Sequence, residues 1–376
     1  MNNKVAIIGN DHINTLGVIR TFGENNIKPY VFLISNKKNN AVIKSKYIEK
    51  YWVFKNEEDA LTKIINYFNN EKNKVALIPT SDSSSLCLDR NYLKLKEKFY
   101  TPNINEKENY IYKFMDKNKQ QELFFKNEIK GINSQIINFK NFDGNLKTRF
   151  PVILKPNISA EGNKKDIKIC SNLEEFNNEK RCLSELGYSS ILVQEFIKYN
   201  YECDIQGFSI NGETAIPGII EKIRIYPPQR GSTTYGKVVS IEKYQKVICG
   251  IKKIMKELNY TGIFDIDIFV KDKDIYLNEI NFRNSAISYA YGNSYIAYYW
   301  YLSCINNKLV FPPYIKDEYT FIDDQADIHN VIDKIISIKD YQKSKKYAKI
   351  LLVKNQKDYK PGRYMFINKI IRNIFK

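Results

Sequence analysis

Between Gly262 and Asn284 the chain reads GIFDIDIFVKDKDIYLNEINFRN, and its acidic residues fall where they can do chemistry. Strand alternation puts Asp265 and Asp267 on one face, with Phe264, Ile266, Ile268 and Val270 on the other. The following strand, Ile275 to Phe282, groups Leu277, Glu279 and Asn281 together. An odd-length turn through Asp272, Lys273 and Asp274 sets Asp267 opposite Glu279 and Asp265 opposite Asn281, because opposed residues on antiparallel strands point the same way. A four-residue turn mismatches the faces. Facing carboxylates repel, so a divalent cation is their natural partner; oxygen ligands with a carboxamide suit Mg²⁺ or Mn²⁺ and leave positions for phosphate oxygens. The alternative is a solvated acidic face, common on half-buried sheets.

Other residues extend this reading. Lys155 lies in the apolar strand Phe150 to Pro156, FPVILKP, where an ammonium needs a partner anion unless it snorkels from a sheet edge. The Lys-rich loop that follows, including Ser159 to Lys165, suits a flap over phosphates or a plain exposed turn. Ile191 to Ile197, ILVQEFI, is an apolar strand interrupted by Gln194 and Glu195. Backbone groups at such a strand end can read an adenine edge, and Glu202 shortly afterwards can accept from ribose hydroxyls. Asp82 follows the strand Val75 to Pro79, where α/β sheets place ligand groups; equally, it is an N-cap for the next helix. Arg224 and the loop PPQRGSTTYG add cationic and hydroxyl groups.

The elements that position these residues form more than one domain, since 376 residues exceed the usual single-domain size. Lys4 to Gly9, the helix-like LGVIRTFGENN and PYVFLIS make a β-α-β opening of a doubly wound sheet, continued by YWVF, a helix from Glu57 to Asn70 and VALIP. A lone Gly9 without G-x-G-x-x-G argues against a nicotinamide cofactor. A helical stretch from Asn109 to Lys130 contains Asp116 and Lys117. Later come the strand QIINF, a helix from Asn172 to Leu186, two antiparallel strands turning at Asn211-Gly212, and a helix from Lys243 to Leu258. The net charge of +17 and pI near 9.3 nominate nucleic acid or an anionic membrane. Lys, Asn and Ile richness is chain-wide, however, and neither a helix-turn-helix nor an RNP-like motif appears, so no nucleic-acid partner is expected. The Tyr-rich AYGNSYIAYYWYLSCI reads as a helix packed on the core and not as a stacking surface. Six cysteines without CxxC spacing signal neither zinc nor disulfides and fit a reducing cytoplasm. No signal-peptide core or membrane span is seen.

A lysine in a strand, then Gln-Glu-Phe-Ile, an acidic strand and Glu-x-Asn-x-Arg, in that order, resembles the ATP-grasp superfamily. LGVIRTFGENNI, SKY and ALIPTSD resemble the domain preceding the ATP-grasp fold in its carboxylate-amine ligases, so the resemblance covers roughly residues 4 to 312. It implies an α/β fold, α+β in the catalytic part: a doubly wound pre-ATP-grasp domain (1–105), a linker and first ATP-grasp subdomain (106–195), a second subdomain with the metal hairpin (196–312) and a basic helical tail (313–376). Lys117 and Lys155 are thereby implied to grip ATP phosphates. Gln194, Glu195, Phe196 and Ile197 would line the adenine site, with Glu195 and Ile197 using their backbone, and Glu202 would hold the ribose. Asp267, Glu279 and Asn281 would hold Mg²⁺, or Mn²⁺. Arg283 would steady the acceptor carboxylate or its acyl phosphate, with Arg224 at a more loosely defined basic position. The implied reaction joins a carboxylate to an amine after phosphorylation by ATP. Similar proteins accompany envelope glycan and peptidoglycan synthesis, and the alternatives are another nucleophile or kinase-like activity. No enzyme nucleophile is required, so His12 and His329 are expected to be structural. The sequence departs from the common Asn-Pro-Arg-Gly pattern at Phe282 and Asn284-Ser285, and lacks the usual linker proline at Asn133-Ser134.

Beyond that resemblance, Lys334 to Lys376 is strongly basic and its end is amphipathic. Phe366, Ile367, Ile370, Ile371, Ile374 and Phe375 share one helical face, with Lys369, Arg372 and Lys376 on the other. Such a helix either lies on an anionic membrane or docks its apolar face on the catalytic domains.

Overall fold

The computed structural model describes residues 3–374 except 38, 143, 158–165 and 229–230; side chains are described to residue 368. The expected flap, Ser159 to Lys165, lies outside the described residues. An N-terminal parallel sheet has the order β3-β2-β1-β4-β5, from β1 (Val5–Asn10), β2 (Tyr30–Ile34), β3 (Lys50–Phe54), β4 (Val75–Pro79) and β5 (Phe99–Tyr100). Fully buried apolar runs such as Val5 to Ile8 fit a sheet covered on both faces. Helices α1 (Ile13–Glu24), α2 (Glu57–Phe68), α3 (Asp82–Arg90) and α4 (Tyr92–Leu95) accompany it, followed by the short strand β6 (Asn103–Ile104).

The expected helix from Asn109 to Lys130 is broken. It forms α5 (Tyr110–Phe114) and α6 (Lys117–Lys126), because the Asp116 side chain accepts from the Lys119 N–H and starts a new helix. A four-stranded antiparallel sheet of order β7-β10-β8-β9 follows, built from β7 (Ser134–Asn138), β8 (Val152–Lys155), β9 (Lys168–Cys170) and β10 (Ser190–Glu195), with α7 (Leu173–Glu185) packed on it. The largest sheet contains β11 (Tyr201–Ile210), β12 (Glu213–Ala215), β13 (Ile219–Tyr226), β14 (Ser232–Val239), β15 (Tyr260–Lys271) and β16 (Asp274–Asn281). One face of β15, Phe264, Ile266, Ile268 and Val270, is buried with Ile251 and Ile254 of α8 (Gln245–Glu257). At about 1.5–3 kcal/mol per buried side chain, this face fixes the strand and offsets the crowding of carboxylates on the other.

After α9 (Ile296–Asn306), whose Trp300 is fully buried, the basic tail is largely helical as expected and adds two short strands. β17 (Tyr319–Ile322) pairs with β14 and β18 (Ile350–Leu351) pairs with β17, extending the large sheet. Between and after them lie α10 (Ile328–Ile332), α11 (Ile338–Tyr347) and α12 (Tyr359–Ile374).

Candidate active site

The hairpin register matches the expected pairing, with Asp265 opposite Asn281 and Asp267 opposite Glu279, but by another route. The turn is the even one: Lys271 pairs with Asp274, and Asp272 takes a left-handed φ of 54°. A β-bulge at Asn278, between the pairs Ile268–Leu277 and Asp267–Glu279, restores the parity that the turn lost. β11 lies on the other side of β15, placing Asp204 against Asp267 and Gln206 against Asp265. One sheet face therefore carries Asp204, Gln206, Asp265, Asp267, Glu279 and Asn281.

Sequence reasoning missed the cation that holds this face together. Lys222, on β13, places its Nζ 2.7 Å from Glu202, 2.9 Å from Asp204 and 2.7 Å from Asp267. Burial alone would lower its pKa, but the three carboxylates raise it well above the usual lysine value. Burial likewise works to raise Asp267, yet the Lys222 charge, with hydrogen bonds from Asp204 and Lys222, holds it below the usual carboxylate range. Asp204 moves the other way, pushed up by burial and by the neighbouring Asp267 and Asp265. The signal available in the sequence was the alternation EKIRIY, which offers Lys222 and Arg224 alike. Arg224 is held elsewhere: it makes a bidentate pair with the fully buried Asp327, at 3.0 and 2.6 Å, and its guanidinium lies 4.2 Å from the Tyr235 ring centroid.

Two lysines reach the hairpin from the other side. Lys155 ends β8, and its buried Nζ donates to Asn278 Oδ1 at 3.1 Å, so the bulge residue also orients the lysine. Lys117 opens α6, with Nζ 3.3 Å from the Pro156 carbonyl and 3.5 Å from Glu279. Burial and then the Lys117 charge push the Lys155 ammonium down to about 8, against the pull of Glu279 and Asp267. An added polyanion relieves both effects.

Between the two sheets, residues 196–200 form a non-repetitive crossing. Glu195 and Phe196 donate their N–H groups to Asn133 and Pro151 carbonyls, whereas among the described residues the Ile197 N–H has no acceptor. Gln194 is buried with its Nε2 unpaired, and Tyr199 stacks on Phe269 with ring centroids 4.5 Å apart. Glu202, expected at the ribose, spends one oxygen on Lys222.

Arg283 follows the hairpin and joins the domains. Its Nε donates to Asp82 at 2.8 Å and its Nη1 to Asp265 at 3.4 Å. Burial works to lower the guanidinium pKa, but the carboxylates of Asp82 and Asp265 raise it. Asp82 is not the N-cap of α3; Ser81 is, leaving Asp82 in the first turn and turned to Arg283. Asn284, one of the positions that departs from the glycine pattern of the resemblance, is buried: its carbonyl accepts from Asn14 and its amide donates to Asn14 and Ser288.

Asp267, Glu279 and Asn281 fit a hard cation shared with phosphates. They share one sheet face and offer oxygen donors, the type that Mg²⁺ takes. A lysine from the four-stranded sheet and another from the start of α6, carboxylates from the large sheet and a strand-end crossing between the sheets are the arrangement of an ATP-grasp fold, and residues 129–286 match the ATP-grasp domain model. Over 188 residues the chain is 27% identical to a carbamoyl-phosphate synthase of Methanobrevibacter smithii, covering 46% of this chain and 47% of that protein, so it spans about half the length of this curated relative. Among solved structures it is similar to an ADP complex of N5-carboxyaminoimidazole ribonucleotide synthetase, at TM-score 0.66, 13% identity and 89% and 85% coverage of the two chains. It is also similar to an L-amino acid ligase from Bacillus licheniformis, at TM-score 0.60, 14% identity and 81% and 74% coverage.

Proposed function

We propose that this protein is an ATP- and Mg²⁺-dependent ligase that activates a carboxylate as an acyl phosphate and joins it to an amine, in cell-envelope glycan or peptidoglycan synthesis. The observation that carries the reading is the opposition of Lys117 and Lys155 to Glu279 and the Asn278 bulge. A carboxylate is a poor electrophile, and transfer of the ATP γ-phosphoryl group to its oxygen, with release of ADP, gives a mixed anhydride from which the amine displaces phosphate. Lys117 and Lys155 neutralise the phosphates, while Ile197 offers a backbone donor at the strand end where an adenine edge would lie. Asp267, Glu279 and Asn281 would hold Mg²⁺, which supplies further charge neutralisation at phosphoryl oxygens when bound. Arg283, oriented by Asp82 and Asp265, steadies the acceptor carboxylate. Burial of the lysine face limits water, which would otherwise hydrolyse the activated acyl group.

The test is ADP release from Mg-ATP, screened against paired panels of amino acids and uronic acids. Release that requires both a carboxylate and an amine, with an amide product by mass spectrometry, is the expected result. ADP formation that stops at a phosphorylated product, or that requires a hydroxyl in place of the amine, overturns it.

A further inference from the structure

The C-terminal segment carries a feature that the ligase reading does not use. Between α10–α11 and α12 lies a groove of about 520 Å³, lined by Ile328, Tyr341, Tyr359 and Phe366 and bordered by Lys345, Lys354 and Arg363. Its apolar lining continues outward onto the surface. Ile332, one turn beyond Ile328 on α10, is 58% exposed; Ile338, one turn before Tyr341 on α11, is 51% exposed; Phe366 is 60% exposed.

Residues 329–376 contain thirteen Lys and Arg, three Asp and no Glu. All three acids are committed within the fold: Asp358 is buried against Arg20, Asp340 caps α11 with Ser337, and Asp333 accepts from the Tyr226 hydroxyl. Among the described residues only one of the cations forms an ion pair, Lys345 with Asp324 at 3.8 Å. The positive field is therefore left for an external anion.

The two sequence expectations for the last helix divide along its length. Its start docks on the N-terminal domain: Pro361 and Gly362 are buried, Met365 packs against the core, and the Tyr364 hydroxyl donates to the Asn39 carbonyl. Phe366 and Ile367 point out. Ile370, Ile371, Ile374 and Phe375 lie outside the residues whose side chains are described.

We infer that this groove and its rim are a docking surface for an anionic lipid bilayer, with Phe366, Ile338 and Ile332 entering the acyl boundary and Lys345, Lys354 and Arg363 at the headgroup phosphates. A second copy of the chain would bring like charge against like. Nucleic acid would satisfy the cations but leave exposed aliphatic side chains such as Ile332 and Ile338 in water. A bilayer interface answers both the apolar and the cationic parts.

Co-sedimentation of the full chain with vesicles tests this. Binding to phosphatidylcholine vesicles containing phosphatidylglycerol, weak binding to phosphatidylcholine alone, and release by salt are expected. Arg363→Gln should weaken the partition about fivefold, and Phe366→Ser or Ile338→Ser about tenfold, with unchanged thermal unfolding. No binding to anionic vesicles at low salt overturns the inference. So does binding that all three variants retain, competition by free glycerol phosphate at millimolar concentration, or self-association in place of vesicle binding.

Discussion

Lys117 and Lys155 bring two ammonium groups together at a buried position, Lys117 beside Glu279 and the Pro156 and Asn157 carbonyls and Lys155 on the Asn278 amide oxygen. The Lys117 charge works with burial to push the Lys155 ammonium down, and a phosphate placed between the two lysines relieves that repulsion. Lys155→Ala should lower ATP-dependent turnover by about 10²–10³-fold with the fold intact by circular dichroism; unchanged ADP release by the folded variant refutes the phosphate role. Because burial brings Lys155 down to about 8, ATP affinity should fall as pH rises through that value, and Lys155→Arg should flatten the profile. The same shift has a stability sign. Between about 8 and 10.5 the unfolded chain retains a proton that the folded chain has released, so this contribution to stability improves as pH rises across that window and is least favourable below it. Glu279→Gln preserves size and removes the charge facing Asp267. It should reduce turnover at limiting Mg²⁺ by roughly 10²-fold, and normal magnesium dependence would show that Glu279 holds no catalytic cation.

Among the elements, the hairpin shows how a wrong turn can give a right pairing. The turn has the parity that mismatches the two faces, and the Asn278 bulge corrects it while supplying the acceptor for Lys155. The first turn of α3 also reaches this site. Asp82 there fixes Arg283 through a half-buried pair, and the helix is itself held to the hairpin by the Ser85 hydroxyl on the Phe282 carbonyl. Asp82→Ala should therefore leave ATP binding within about twofold while kcat/KM for the carboxylate falls by as much as about 10²-fold, the cost of a misplaced positioning group. Equal losses in both would show that Asp82 supports the domain as a whole.

In the whole molecule, the C-terminal segment is built in. Arg20 of α1 is fully buried and donates to the Asp358 carboxylate and to the carbonyls of Leu352, Val353 and Asp358. Arg20→Ala leaves Asp358 and three carbonyls short of a donor, so urea denaturation should show a loss of about 3–5 kcal/mol. A loss below about 1 kcal/mol would mean that the segment is only loosely attached.

The alternation that divides β15 into an apolar and an acidic face was legible in the sequence, as were the apolar parallel strands of the first sheet and the order in which lysine, Gln-Glu, acidic strand and Glu-x-Asn-x-Arg follow one another. These are local periodicities and short motifs, fixed by strand geometry and residue type. Long-range packing decided the rest. Lys222, not Arg224, sits among the carboxylates because a register shift in β13 separates the two side chains, and Asp327, more than 100 residues away, claims the arginine. Asp82 found its partner 201 residues along the chain. The C-terminal segment contributes β17 and β18 as well as helices, because β14 offers an edge whose N–H and C=O groups take β17 as partner and β17 in turn takes β18. No local pattern encodes which distant edge or charge will be left to satisfy, so only the tertiary structure could settle these positions.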